Sequence, residues 1–375
     1  MLRSILAVVS FCLVGLAGAG ETIKVGALLS VTGPASFLGA PEANTLTMLV
    51  EKANAAAGPS GVKFELLIKD TGGSPEKAVS FAKQLIEENQ VFAIIGPSTS
   101  GETMQVKQLA EESGTLLLSC AAAEVIVQPV AKWVFKSPQS DSHAAIRIFE
   151  RIKKLGLTSI GLLTSNTGFG KAGKAQLEKL APAYGLTIVA NEVYDKSATD
   201  LTAEVTKMKA SGAQALVNWS IEPAQAIVLK NARQIGLNVP LFQSHGFGNL
   251  AYVKAAGAAA EGVIFPAGRL LVADSLPDSN PQKKLLVDYK TAYEARFKED
   301  VSTFGGHAYD SFLMLQAGLK AGGVDKRKAR DAIEAIHGMA GTGGIFNLSA
   351  TDHCGLNPEA FEMLVVKDGK FQVLK

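Results

Sequence analysis

Cysteine is scarce, with three in 375 residues, too few for a disulfide scaffold. Histidine is almost as rare, with five, and His143, His245, His307, His337 and His353 are spaced so that they suggest no metal cluster. HExxH, paired CxxC and GxSxG are all missing, so neither a zinc hydrolase nor a serine hydrolase is indicated. Charge of one sign is lacking too: Lys+Arg 37 against Asp+Glu 35 leaves a net of +2. No stretch gathers the basic stripe that nucleic-acid binding needs. After the first twenty residues no run of 18 uninterrupted apolar residues offers a membrane span. What is present is 47% hydrophobic and 19% charged residues, with Gly 37 and Pro 14 in ordinary shares. That composition excludes disorder, collagen and coiled coil, and the length suits two domains or one large one.

Residues 1–19 combine a basic start at Arg3, an apolar stretch from Ile5 to Leu16 and the small-residue exit Ala17-Gly18-Ala19. This pattern predicts a secretory signal peptide cleaved near Ala19, hence a periplasmic protein. Cleavage removes Arg3 and no acid, leaving 36 − 35 = +1. Cys12 leaves with the signal, and Val9-Ser10-Phe11 before it is no lipidation box. Cys120 and Cys354 remain.

Short apolar runs alternate with helical patterns, the mark of an α/β protein with parallel strands. Strands are expected at Ile23–Leu29, Lys63–Lys69, Phe92–Ile95 and Thr115–Ser119, and again at Ser159–Thr164, Thr187–Val193, Ala215–Trp219 and Leu241–Gln243. Phe92–Ser119 and Ala215–Gln243 share one rhythm of strand, turn, helix, glycine and strand, so two similar lobes follow in series. Candidate hinges fall at Lys136–Asp141 and Phe265–Arg269. Helices are expected at Gln282–Glu299, Tyr309–Ala321 and Lys326–His337, and a hairpin at Phe361–Val373 turning on Asp368-Gly369.

Two glycine patterns invite a cofactor reading. Gly168–Gly173 fits GxGxxG, but Ser165-Asn166-Thr167 separate it from the strand end where a pyrophosphate would meet the helix. Gly96–Gly101 has the spacing of a phosphate loop, yet Glu102 stands where lysine belongs. No cofactor and no enzymatic activity are expected. Ser98, Thr99 and Ser100 can instead cap a helix or hold an anion at its start.

Two serial lobes, a Thr32-Gly33-Pro34 turn closed by Gly39, the Gly96–Gly101 turn and a Ser119–Ala123 loop together resemble the type I periplasmic binding proteins of ABC transporters. The group that serves branched-chain amino acids is the most similar. The resemblance covers essentially the whole mature chain. It implies two parallel-sheet lobes joined by a three-strand hinge, residues 20–138 with 268–345 forming one lobe and 139–267 with 346–375 the other. It puts the crossings near Pro138, Pro266 and Phe346, and free thiols at Cys120 and Cys354. It further implies a monomer that takes a small carboxylate, binds no nucleic acid and docks on an ABC permease in the inner membrane. A sensor of the same fold would pass its ligand to a receptor instead.

The resemblance assigns the ligand carboxylate to Ser100, assisted by Ser98 and by the backbone at Ala121 and Ala123. An aromatic wall falls on Phe169 and Trp219, and Leu38, beside Phe37, stands where amino-acid binders carry a tyrosine. His245 departs most, since similar amino-acid binders have an acid there to neutralise the ammonium. A buried cation without its counter-charge costs several kcal/mol, against about 8 kcal/mol for micromolar binding. An aromatic acid, hydroxybenzoate or phenylpropanoid in type, is therefore favoured over a branched-chain amino acid. Glu222, three residues beyond Trp219, is the alternative counter-charge.

Overall fold

The computed structural model describes residues 21–58 and 61–375. The expected signal peptide and Cys12 lie outside the described residues. Strands run β1 Thr22–Leu29, β2 Lys63–Asp70, β3 Ala93–Ile95, β4 Leu116–Ser119, β5 Val134–Lys136, β6 Ser159–Ser165 and β7 Thr187–Tyr194. They continue with β8 Ala215–Trp219, β9 Leu241–Gln243, β10 Ile264–Ala267, β11 Met339–Ala340, β12 Ile345–Phe346, β13 Glu362–Lys367 and β14 Lys370–Val373.

The first sheet has the order β2-β1-β3-β4-β5 and is parallel throughout. Its central strands β3 and β4 are buried along their whole length, as expected for continuous apolar runs covered by helices on both faces. The second sheet has the order β14-β13-β10-β9-β8-β6-β7. Its pairings are parallel from β7 to β10 and antiparallel from β10 through β13 to β14. The two parallel-sheet lobes are as expected, and the expected C-terminal hairpin forms the antiparallel edge of the second. No helix among the described residues is long and apolar enough to cross a membrane.

Each sheet carries its own apolar core, one built on Val25, Ile94 and Leu117, the other on Leu162, Val217 and Phe242. The segment Lys136–Asp141 passes from the first sheet to the helix Asp141–Lys154, whose Ile148 and Phe149 lie in the second core. The second passage follows β10. The third comes later than the expected Phe346: Phe346, Leu348, Cys354, Leu356 and Ala360 are buried in the first core, and only with Phe361 does the chain join the second. The loop is held there by His353, which stacks on Phe135 with ring centroids 4.0 Å apart and contacts the Val134 carbonyl at 2.8 Å.

Cys120 and Cys354 are both free and buried. Cys354 lies against the first passage, its Sγ donating to the Pro138 carbonyl at 3.5 Å.

Candidate functional site

Two helix starts face each other between the lobes. Thr99 caps the helix Ser100–Ser113, its Oγ1 accepting from the Glu102 N–H at 3.3 Å. Thr167 caps the helix Gly168–Leu180, accepting from the Gly170 N–H at 3.2 Å. A Cβ placed on Gly168 would lie 2.7 Å from Gly101 Cα, so backbone meets backbone across the cleft and the lobes are closed. A Cβ on Gly173 would lie 2.1 Å from Trp219 Nε1. Close packing thus accounts for two glycines of the GxGxxG pattern.

Behind this contact is a chamber of about 20 Å³, space for a single water molecule. Leu38, Ser98, Ser100 and Ala121 from one lobe and Phe169 and His245 from the other line it, all six expected from the sequence. Phe304 and His307 line it as well and were not expected. Admitting a larger ligand requires the lobes to part and lining side chains to turn aside.

Two expected residues sit elsewhere. Trp219 is fully buried behind the chamber wall, its ring 5.7 Å from Phe169 and 5.6 Å from His245 by centroid, because the ring lies on bare Gly173. It backs the aromatic wall without facing the chamber. Ala123 is also a layer behind, and its N–H donates to Ser100 Oγ at 3.3 Å. Ala121 N–H donates to Ser119 Oγ at 3.1 Å. In the closed form these two amides are thus satisfied by serines.

Ser98 is bonded away from the chamber. It accepts from the Ser30 N–H at 3.0 Å and donates to Glu42. Burial pushes the Glu42 carboxyl well above the usual range, against the pull of that Ser98 bond, and the nearby Glu102 charge raises it further.

Glu222 is not in the chamber. It lines an outer vestibule of about 310 Å³, beyond Phe169 and Ile221, and its Oε2 accepts from Ser220 Oγ at 2.6 Å and from the Ile221 N–H at 3.2 Å. No carboxylate stands among the described residues that line the chamber.

Two imidazoles join the serines Ser98 and Ser100 in the lining. His245 is buried with neither ring nitrogen partnered, and His307 leaves Nδ1 without a partner. Burial, with the Lys136 charge adding to it, holds His245 well below the usual histidine range and lowers His307 to about 3. Lys136 is fully buried. Its Nζ donates to the carbonyls of Ala122 at 3.1 Å and Pro138 at 2.9 Å, and Ala122 is itself part of the chamber wall. Nearby Asp141 is raised to about 6 by burial, with Lys136 opposing. Sequence reasoning missed Lys136 and His307. The available signals were a lysine ending an apolar strand and a Gly-Gly pair just before a histidine in an apolar helix.

Two α/β lobes closing on a small buried chamber, with the chain passing between them three times, define a two-lobed ligand-binding protein. The family model described as periplasmic binding protein matches residues 22–370, and the chain belongs to that family. A leucine-, isoleucine-, valine-, threonine- and alanine-binding protein of Pseudomonas aeruginosa is 26% identical over 323 residues, covering 84% of this chain and 83% of the relative. An extracellular ligand-binding receptor from Rhodopseudomonas palustris HaA2 superposes with a TM-score of 0.87 at 27% identity, covering 94% of this chain and 99% of that one. An ABC-transporter solute-binding protein from R. palustris, solved in complex with 4-hydroxybenzoate, gives a TM-score of 0.80 at 19% identity over 95% and 96% of the two chains. That last likeness speaks for the fold alone.

Proposed function

We propose that this chain is the extracytoplasmic solute-binding component of an ABC importer. It captures a small aromatic carboxylate between its lobes and presents the closed form to a membrane permease. Residues 1–19 are read as its export signal and the mature protein as a monomer.

The observation that carries the ligand class is the chamber itself, where two neutral imidazoles occupy a space with no lining carboxylate among the described residues. An amino acid would bring its ammonium into that space near buried Lys136 and without a counter-charge, at a cost of several kcal/mol. A carboxylate meets hydroxyls and amides at the start of the helix Ser100–Ser113, where the helix dipole favours an anion. Leu38, Phe169, Ile221 and Phe304 offer apolar walls, and burying a ring among them contributes about 3–5 kcal/mol.

Mechanistically, Ser100 and the Ala121 backbone would receive the carboxylate in the open cleft, exchanging their present serine and amide partners for it. Rotation about the three passages then brings Phe169 and His245 over the ring. The ligand shifts the open–closed equilibrium because it touches both lobes only in the closed form. The rival reading, a branched-chain amino acid, is favoured by the P. aeruginosa relative and would need the Glu222 carboxylate to turn inward from the vestibule.

A thermal-shift panel on refolded protein separates the two. Ligand at 100 times its Kd stabilises by about 2.7 kcal/mol. Benzoates and cinnamates are expected to raise the melting temperature and leucine, isoleucine and valine to leave it unchanged. A shift with leucine and none with the aromatic acids would overturn the proposal.

A further inference from the structure

Lys136 ends β5 fully buried, at the start of the first passage between the lobes. Its Nζ donates to the Ala122 carbonyl at 3.1 Å and to the Pro138 carbonyl at 2.9 Å. Lys136 takes part in none of the ion pairs formed among the described residues. The acid that feels its charge, Asp141, is bonded elsewhere: its Oδ1 accepts from the N–H groups of Glu124 at 3.0 Å and Ser142 at 2.9 Å, and its Oδ2 has no partner. A buried ammonium bonded only to neutral carbonyls keeps a charge that its surroundings do not match, and an anion brought close to it is favoured. The carbonyl that Lys136 holds belongs to the loop whose Ala121 and Ala122 line the chamber. The unmatched charge therefore lies directly behind the wall that is to receive the ligand carboxylate, where exclusion of water lets its field reach further than it would in solvent. Both chamber imidazoles feel that field, since the Lys136 charge opposes protonation of His245 and of His307.

We propose that Lys136 is a specificity-determining residue: its buried ammonium is the counter-charge of the bound ligand and selects a monoanion over a neutral molecule or a zwitterion of the same shape. This rests on the aromatic-carboxylate reading and names the charge that the reading leaves unmatched. The Ser100 hydroxyl and the Ala121 amide can donate to a carboxylate, but they can donate equally well to the carbonyl of an uncharged amide. Hydrogen bonds alone thus do not exclude a neutral ligand, whereas a fixed positive charge behind them favours the acid. A zwitterion brings its own ammonium into the same field and forfeits what its carboxylate gains. Because Lys136 acts through the Ala122 wall and does not touch the ligand, its effect falls on ligand charge and leaves ring size and shape to Leu38, Phe169 and Phe304.

The test is calorimetric titration of the mature protein with benzoate, 4-hydroxybenzoate and cinnamate, each beside its primary amide, repeated on Lys136→Met and Asp141→Asn. Acid and amide share a ring and a carbonyl and differ in charge. For the pair that binds most tightly, the wild type is expected to prefer the acid at least about 10-fold. Lys136→Met keeps an unbranched apolar stem and removes the charge, and should cut that preference at least about 5-fold. Asp141→Asn keeps the oxygen that accepts from Glu124 and Ser142 and removes the acid that shares the Lys136 field, so it should raise the preference about 3-fold. Taking the ratio within each protein cancels any change in lobe closure.

A wild-type ratio near 1 overturns the proposal, and that measurement stands even if Lys136→Met fails to fold. A ratio unchanged in a folded Lys136→Met also overturns it, as does a ratio that Asp141→Asn lowers or leaves alone. If leucine binds the wild type and none of the aryl acids does, the aromatic-carboxylate reading fails first and takes this role of Lys136 with it. Aryl acids that bind with a preference indifferent to Lys136→Met would leave that reading intact and remove Lys136 alone.

Discussion

Gly168→Ala tests whether the closed arrangement described above is the one that ligand stabilises. The added Cβ would lie 2.7 Å from Gly101 Cα and 2.8 Å from Gly101 N, and both are backbone atoms that cannot turn aside. Gly101 and Gly168 begin helices in different lobes, so the collision exists only when the cleft is shut. Within its own lobe, alanine suits the first turn of the helix Gly168–Leu180 better than glycine does. The substitution therefore acts on the open–closed equilibrium and leaves each lobe intact. An overpacked contact of this kind costs about 1–3 kcal/mol. Because apparent Kd is the intrinsic Kd divided by the closure-competent fraction, affinity should fall about 5- to 150-fold. Calorimetry with whichever acid binds best gives the ratio, and small-angle scattering of the liganded variant should show a larger radius of gyration than the liganded wild type. Unchanged affinity with an unchanged melting temperature would refute the reasoning, since the ligand-bound closure would then be wider than the Gly101–Gly168 contact allows.

Two further outcomes follow from the same geometry. Gly173→Ala drives a methyl into the Trp219 ring, 2.1 Å from Nε1, and should lower unfolding free energy by about 1–3 kcal/mol in urea denaturation; a smaller loss would mean that Trp219 is free to move. His307, lowered to about 3, is neutral in the folded protein while the unfolded chain takes up a proton below about 6.5. Stability from this residue is therefore complete above about pH 6.5 and lost as pH falls toward 3. Relative to His307→Asn, the wild type should lose about 2 kcal/mol between pH 7.5 and pH 5; an equal pH response in the two proteins would show that the ring is not held neutral.

The strands that sequence reading located are buried apolar runs bounded by turn residues, and β8 and β9 agree to the residue. β10 overlaps the hinge expected at Phe265–Arg269 between Gly262 and Gly268, and Pro266 within it argues against an inner strand. It is tolerated because β10 pairs with β9 only at Ile264 and Phe242, leaving the proline beyond the parallel ladder. β5 escaped notice because it is three residues long and ends in Lys136, whose burial depends on two carbonyls that no local pattern reveals. The helix expected from Tyr309 begins at Thr303. Gly305 and Gly306 look like a break, but they let the helix start nest against Tyr289 and Thr342, where a Cβ would come within 2.5 Å and 2.6 Å of the two hydroxyls. That close approach carries His307 into the chamber. Leu38, Ser100, Phe169 and His245 come from the family resemblance and from no local pattern of their own, and all four line the chamber. Trp219 was misplaced because the last residue of a strand can point to either side of the cleft wall, and only its packing on Gly173 decides which.

The late third passage also bears on how the protein is made. β13 inserts between β10 and β14, so the second sheet receives its last two strands from the final residues of the chain, while residues 346–360 before them belong to the first core. A chain emerging from its amino end can lay β6 to β10 side by side, but Ile264 and Phe265 of β10 stay on an open edge until Glu362–Val373 arrive. The second lobe is thus the later of the two to complete its sheet, although its first strand is synthesised before the first lobe's closing helices. Loss of the last fifteen residues would leave the first lobe's core whole and give the second an uncovered apolar strand, the kind of edge on which chains aggregate.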